Sequence, residues 1–99
     1  MIEKIKNLIQ IGWKGRLIKI SLEEALKSKN KKGFIILAED SSENTKKKVI
    51  NNFKEYYILF KKEELGALIG KKEVAVIFVP YNKFGINLKN LIQSYFKQF

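Results

Sequence analysis

Apolar side chains recur at helical spacing in five stretches of the chain. The first stretch begins at Ile2 and ends near Ile11. The last is the most regular, with apolar residues at i, i+3, i+4, i+7, i+8 and i+11: Leu88, Leu91, Ile92, Tyr95, Phe96 and Phe99. Three shorter helices are expected between them, the third of these over residues 65–69 with Gly70 at its C′ position.

Four shorter stretches between the helices have the character of strands. Residues 16–20 alternate basic and apolar side chains, and residues 56–60 are rich in aromatic and β-branched side chains. Residues 34–38 and 74–79 are continuous apolar runs, which are typical of strands covered on both faces. This alternation predicts a single α/β domain over residues 1–99, a three-layer α/β/α sandwich around a four-stranded mixed sheet.

Two of the predicted helices have candidate N-caps in the sequence. Ser21 precedes the second helix, with Glu24 in its first turn and Lys27 near its end, which suits the helix dipole. Asp40 precedes the third helix, and Glu43 stands three residues later, where it could complete a capping box. We therefore predict that Ser21 and Asp40 cap these two helices.

Basic residues outnumber acidic residues two to one, with 20 Lys and Arg against 10 Asp and Glu and a net charge of +10. A field of this sign attracts polyanions and releases their counterions on contact. A compositional bias toward Lys, Asn and Ile explains Lys in place of Arg but not the excess over acidic residues. We therefore expect a nucleic acid or another anionic surface as the partner.

The sequence has no sign of secretion or of membrane insertion. Cys is absent, so nothing indicates an oxidising compartment. Every apolar run is shorter than the roughly 18 residues that a spanning helix needs. Glu3, Lys4 and Lys6 interrupt the hydrophobic region that a signal peptide would require. We expect a cytoplasmic monomer that does not associate with membranes.

The residue types needed by most enzymes are missing. The chain has no His, no Cys and one Asp, and it contains neither a P-loop signature nor a GxGxxG sequence. We therefore expect no catalysis, no cofactor and no resident metal. One alternative stays open: Glu39 and Asp40 follow a predicted central strand, where ligands of α/β sheets tend to bind, and adjacent carboxylates could hold Mg²⁺ or share a proton.

Three stretches of the sequence resemble a known family. They are GRLI at residues 15–18, FIILAEDSSENTKKK at residues 34–48 and EELGALIGK at residues 63–71. From residue 15 to about residue 79 the chain resembles the 7Ae/30e superfamily of ribosomal proteins, and most closely its small bacterial YlxQ-like members. The resemblance implies an α/β/α sandwich that binds kink-turn or related structured RNA, and we expect it to be associated with the ribosome.

The resemblance also implies where RNA would bind, because family members use three segments at one end of the sandwich. These are the start of the second helix, the loop after the central strand and the loop that enters the Leu-Gly helix. In this sequence the predicted RNA contacts are Lys19, Ser21, Glu24, Lys27, Glu39, Asp40, Lys61, Lys62, Leu65 and Gly66.

The sequence departs from the family pattern at the second helix. The family motif opens with Gly and a polar residue, whereas this chain has Ser21 and Leu22, so only Lys27 clearly corresponds. A side chain at Ser21 stands where a phosphate backbone would approach closely. The alternative function is therefore a protein-interaction adaptor of the same fold, for which an exposed apolar patch beside Leu22 would be the sign.

Three further residues have two interpretations each. Trp13 and Tyr81 could stack on bases, or they could pack against helix ends as loop aromatics commonly do. Gly66 lies inside an apparent helix, where Gly costs about 1 kcal/mol relative to Ala. Either a ligand or a neighbouring element must therefore approach Gly66 closely.

Overall fold

The computed structural model describes residues 1–98, in which helices and strands alternate. The elements are α1 (Ile2–Lys14), α2 (Leu22–Lys27), β1 (Gly33–Leu37), α3 (Glu43–Asn52), β2 (Tyr56–Ile58), α4 (Lys62–Leu68), β3 (Val76–Pro80) and α5 (Lys83–Phe96). None of the helices in this described part is long and apolar enough to cross a membrane.

The sheet is mixed, as predicted, and β1 lies at its centre. The strand order is β2-β1-β3. β1 runs parallel to β2, with Ile35 opposite Tyr56. It runs antiparallel to β3, with Ile35 opposite Phe78. Residues 34–38 are fully buried, which confirms that the apolar run is a covered central strand.

The predicted fourth strand, at residues 16–20, is wrong. This segment makes only one isolated bridge, in which Lys19 N–H donates to the Phe78 carbonyl at 3.0 Å and Phe78 N–H donates to the Lys19 carbonyl at 2.8 Å. Arg16 leaves α1 with φ of 58°, and Ser21 already caps α2, so too few extended residues remain to build a ladder. The sheet of residues 1–98 therefore has three strands rather than four.

Alternate side chains of β1 pack on opposite faces of the sheet. Phe34 and Ile36 belong to a cluster with residues of α1, α4 and α5. Ile35 and Leu37 belong to a second cluster, with residues of α2 and α3. Helices therefore cover both faces of the sheet, and the period of two along β1 assigns each side chain to one layer.

The caps differ from the prediction at one helix. Ser21 does cap α2, since its Oγ accepts from Glu24 N–H at 3.1 Å. The cap of α3 is Ser42, whose Oγ accepts from Thr45 N–H at 3.2 Å, so the prediction that Asp40 caps this helix with Glu43 is wrong. The Asp40 carboxylate is engaged elsewhere, because its Oδ1 accepts from Lys62 N–H at 2.8 Å.

Several helix ends also differ. α1 continues to Lys14, and α5 begins at Lys83, where Asn82 Oδ1 accepts from Gly85 N–H at 2.8 Å. Gly70 follows α4 with φ of 74°, which confirms the expected left-handed residue after that helix. Phe99, the last residue of the predicted apolar series, lies outside the described residues.

We predict that Tyr57 ionises at a higher pH in the folded chain than in the unfolded chain. Burial, together with a hydrogen bond that the Tyr57 hydroxyl donates to Glu55, raises the pKa of Tyr57 to about 12. The unfolded chain loses this proton near pH 10, so the contribution of Tyr57 to stability is complete below that pH and is lost as the pH rises toward 12.

Ultraviolet absorbance of the phenolate during an alkaline titration tests this prediction. Part of the absorbance change should appear only as the pH rises toward 12, and Tyr57→Phe should remove that part. A Tyr57→Phe titration that matches the wild-type titration in this range would contradict the prediction.

Candidate nucleic-acid interface

The strand directions bring three of the predicted RNA-binding segments to one edge of the sheet. β1 and β2 are parallel, so the loops that follow Leu37 and Ile58 emerge at the same edge. The bridge at Lys19 is antiparallel to β3, so this segment runs in the direction of β1 and delivers Ser21 to that edge too. We call this region, formed by residues 19–24, 38–43 and 59–64, the carboxyl edge.

Asp40 joins two loops of the carboxyl edge. Its Oδ1 accepts from Lys62 N–H at 2.8 Å, across 22 positions in sequence. One residue earlier, Glu39 N–H donates to the Phe60 carbonyl at 2.8 Å. Asp40 therefore does satisfy a helix N-terminus, but that of α4, and it fixes the position of that helix relative to the loop after β1.

The start of α4 has a second side-chain contact. Glu64 Oε1 accepts from Lys61 N–H at 3.0 Å, so the first turn is held from its own sequence as well as from Asp40. Phe60, the residue before Lys61, has φ of 66°. This left-handed conformation costs a residue with a Cβ atom about 1–2 kcal/mol. The hydrogen bond from Glu39 and burial of the Phe60 ring offset this cost.

Ser41 supports the same loop from within the protein. Its side chain is buried, and its Oγ donates to the Ala38 carbonyl at 2.8 Å, with the Ala75 carbonyl at 3.4 Å. The turn at Glu39 and Asp40 is thereby fixed between β1 and the start of β3. Sequence reasoning missed Ser41 as a supporting residue; the only sign was a pair of small polar residues after Asp40.

Three further predicted contacts lie on or just before the second helix. Lys19 and Glu24 line a cavity of about 390 Å³ beside Trp13. Lys27 ends α2, roughly 9 Å along the helix from Ser21 at 1.5 Å per residue, and it pairs with Glu23 at 3.5 Å. Lys27 therefore lies at the end of α2 away from Ser21.

Leu65 and Gly66 lie beneath the surface rather than on it. The Leu65 side chain is fully buried in the core. A Cβ on Gly66 would come within 2.7 Å of the Glu73 backbone and 2.8 Å of the Lys71 carbonyl oxygen. The close neighbour of Gly66 is therefore the loop after α4, and both residues shape the carboxyl edge from below.

One of the sequence alternatives lacks the feature it requires. Leu22 is half-buried and packs against the core under α2 and α3, so it does not begin an exposed apolar patch. Within residues 1–98 no group of three or more His, Cys, Asp or Glu side chains is placed to hold a metal ion. The Trp13 ring packs partly against the core, with Lys71 Nζ 5.9 Å from its centroid.

The comparisons with known proteins identify the fold. No protein-family model and no curated protein matches the chain. A solved structure of a Bacillus halodurans protein of unknown function superposes with a TM-score of 0.81 and 26% identity, over 91% of this chain and 97% of that one. The Giardia lamblia 15.5kD RNA binding protein superposes with a TM-score of 0.66 and 19% identity, over 90% of this chain and 84% of that one. The chain thus shares its mixed α/β fold with an RNA-binding protein.

Proposed function

We propose that this chain is a non-catalytic, cytoplasmic RNA-binding protein, a monomer of the 7Ae/30e type, that recognises a kink-turn or related structured RNA in association with the ribosome. The observation that carries the proposal is the joined pair of loops at the carboxyl edge, where Asp40 holds the start of α4. The fold shared with an RNA-binding protein supports the same conclusion.

The joined loops make a rigid surface before any ligand arrives. The two hydrogen bonds from Lys62 N–H and Glu39 N–H, together with buried Ser41, fix the backbone of both loops. Binding then costs less conformational entropy than it would for mobile loops. A rigid edge suits a folded RNA, whose shape is set before binding, better than a flexible single strand.

The side chains at this edge divide into two roles. Lys19 and Lys61 are exposed and Lys62 is half-buried, and none of the three forms a salt bridge within residues 1–98. These lysines are suited to phosphates, which position the RNA without reading its sequence. Glu39 is exposed, and its carboxylate can accept from the amino group of a base that has left its stack.

In this proposal Ser21 stabilises the fold and does not contact RNA directly. Because its hydroxyl already accepts from Glu24 N–H, the residue at the altered family motif acts as a helix cap. Recognition is therefore assigned mainly to Glu39, Lys61 and Lys62, with Lys19 at the side.

The test compares binding of the purified protein to a kink-turn RNA, a straight duplex of equal length and a single strand, each at several salt concentrations. We define the edge variant as Lys61→Glu/Lys62→Glu. Both substitutions place Glu at the start of α4, where the helix dipole favours it, so the fold should survive. The edge variant should bind the kink-turn RNA at least about tenfold more weakly, with a shallower salt dependence.

The matched control variant is Lys4→Glu/Lys47→Glu, which changes the net charge equally. Lys4 lies in the first turn of α1, Lys47 lies on α3, both are exposed, and neither belongs to the carboxyl edge. The control should change kink-turn affinity much less than the edge variant does. Equal binding of wild type to all three RNAs would contradict recognition of structured RNA. No binding at moderate salt would contradict RNA binding and favour the adaptor alternative.

A further inference from the structure

A second basic surface lies at the opposite edge of the sheet. The turn after α2, the start of β1, the chain between α3 and β2, and the end of β3 meet there around a cavity of about 310 Å³. We call this cavity the lysine groove; the side chains that matter are Lys29, Lys31, Lys32, Asn52, Lys54 and Tyr81. The five-residue strand β1 separates it from the carboxyl edge by roughly 17 Å, at about 3.3 Å per residue.

The charges of the lysine groove are not neutralised by the protein. Its four lysines are exposed, and none has a carboxylate within salt-bridge distance in residues 1–98. The one acidic residue in the lining, Glu55, is already engaged: Lys89 Nζ lies 3.1 Å from Oε2 and 3.2 Å from Oε1, and the Tyr57 hydroxyl also donates to it.

The acidic residues of the chain are concentrated at the other edge. Eight of the ten belong to segments at or beside the carboxyl edge, at positions 23, 24, 39, 40, 43, 63, 64 and 73. The lysine groove is therefore the more strongly positive of the two edges. RNA bound only at the carboxyl edge would leave the lysines of the groove without a partner.

The groove is also built on a fixed backbone. Tyr81 N–H donates to the Lys32 carbonyl at 3.0 Å, which ties the end of β3 to the turn after α2. The Tyr81 ring stacks on buried Phe34 at 6.1 Å between centroids, and Lys89 Nζ lies 4.9 Å from the Tyr81 ring centroid. Tyr81 thus forms a wall of the groove rather than a free stacking platform.

We propose that the lysine groove binds the sugar-phosphate backbone of a second RNA segment, distinct from the segment at the carboxyl edge. Compact ammonium groups around a concavity suit phosphates, which carry charge without demanding a planar partner. Tyr81 is the only exposed large apolar side chain in the lining, so the groove lacks the apolar face that membrane binding needs. The inference rests on the proposed function, because it takes the polyanion to be RNA.

Because the two sites lie at opposite edges of the sheet, the length of an RNA decides whether it can contact both. A short RNA bound at the carboxyl edge can end before the groove, which lies at the opposite edge of the sheet. An RNA with a flanking helix or strand that passes around the protein can occupy both. The groove therefore selects for RNA that continues beyond the recognised element.

The test uses a groove variant, Lys31→Glu/Lys54→Glu, beside the edge and control variants. The probes are a minimal kink-turn RNA, the same RNA with one helix extended by a full turn, and a straight duplex. The groove variant should bind the extended RNA at least about tenfold more weakly, with a salt slope reduced by about two, and should bind the minimal RNA within about twofold of wild type.

The outcomes separate this inference from the proposed function. A groove variant that matches the control variant on all three RNAs would overturn the inference and leave the proposed function intact. Wild type could bind the kink-turn RNA no more strongly than the duplex, while the groove variant no longer binds the duplex. This result would overturn kink-turn recognition and support RNA binding by the groove. A circular dichroism melt of each variant shows whether it is folded before binding is measured.

Discussion

Replacing Phe34 by Ala is expected to lower the free energy of unfolding by about 3–5 kcal/mol. Phe34 is fully buried in the central strand. Its ring meets Tyr57 edge-on at 5.6 Å and stacks on Tyr81 at 6.1 Å. The substitution removes apolar surface and leaves a cavity among rings that the surrounding strands hold in place, so relaxation recovers little of the loss.

Urea unfolding followed by circular dichroism measures this loss. The free energy of unfolding of typical domains is about 5–15 kcal/mol, so the Phe34→Ala variant should unfold at low urea concentrations. Phe34→Leu is a milder variant for the same measurement. The control is Phe96→Ala, whose ring is 40% exposed and which should cost far less. A loss below about 1 kcal/mol for Phe34→Ala would contradict the described core.

Replacing Gly85 by Ala is expected to cost about 3 kcal/mol, at the upper end of the range for overpacking. Gly85 lies buried in the first turn of α5, and a Cβ there would overlap the carbonyl oxygen of Pro80. The contact is with the backbone of Pro80 rather than with a flexible side chain, so α5 must move away from the end of β3. The gain in helix propensity from Gly to Ala, about 1 kcal/mol, does not offset that displacement.

Gly15→Ala is the matched control for this substitution. Gly15 has φ of −85°, and its nearest neighbour for an added Cβ is the Ile11 carbonyl oxygen at 3.3 Å. This variant should be nearly neutral in the same unfolding measurement. Equal stability of the Gly85 and Gly15 variants would contradict the close contact between α5 and β3.

The elements whose signals are local could be predicted from the sequence. Ser21 caps α2 by accepting a hydrogen bond from Glu24 N–H, only three residues later in the sequence. Gly70 follows α4 because the left-handed backbone at that position favours glycine. The strand at residues 16–20 fails for the opposite reason. Its alternating pattern is suitable, but pairing depends on how many residues remain between the turn at Arg16 and the cap of α2.

The carboxyl edge shows the same division between local and distant contacts. The sequence indicates that Asp40 is a helix cap, but not that it caps a helix 22 positions later. That contact depends on the parallel pairing of β1 and β2, which carries the two loops to one edge. No sequence signal indicates the left-handed conformation of Phe60, because aromatic residues rarely adopt it.

The lysine groove was only partly visible in the sequence. The lysines at positions 29, 31 and 32 form an obvious basic run, which by itself could simply solvate the end of a helix. Their meeting with Lys54 and Tyr81 requires Gly33 to pair opposite Pro80 and β2 to begin beside β1. Only the assembled sheet distinguishes a groove from a solvated turn.

Amide chemical shifts of the isotope-labelled protein, recorded during titration with a minimal kink-turn RNA, test the central claim most directly. We expect the largest changes on the carboxyl edge, at Glu39, Asp40, Lys61 and Lys62, while the lysine groove stays nearly unchanged until the RNA is extended. Changes confined to surfaces away from the carboxyl edge, or no changes at moderate salt, would contradict it.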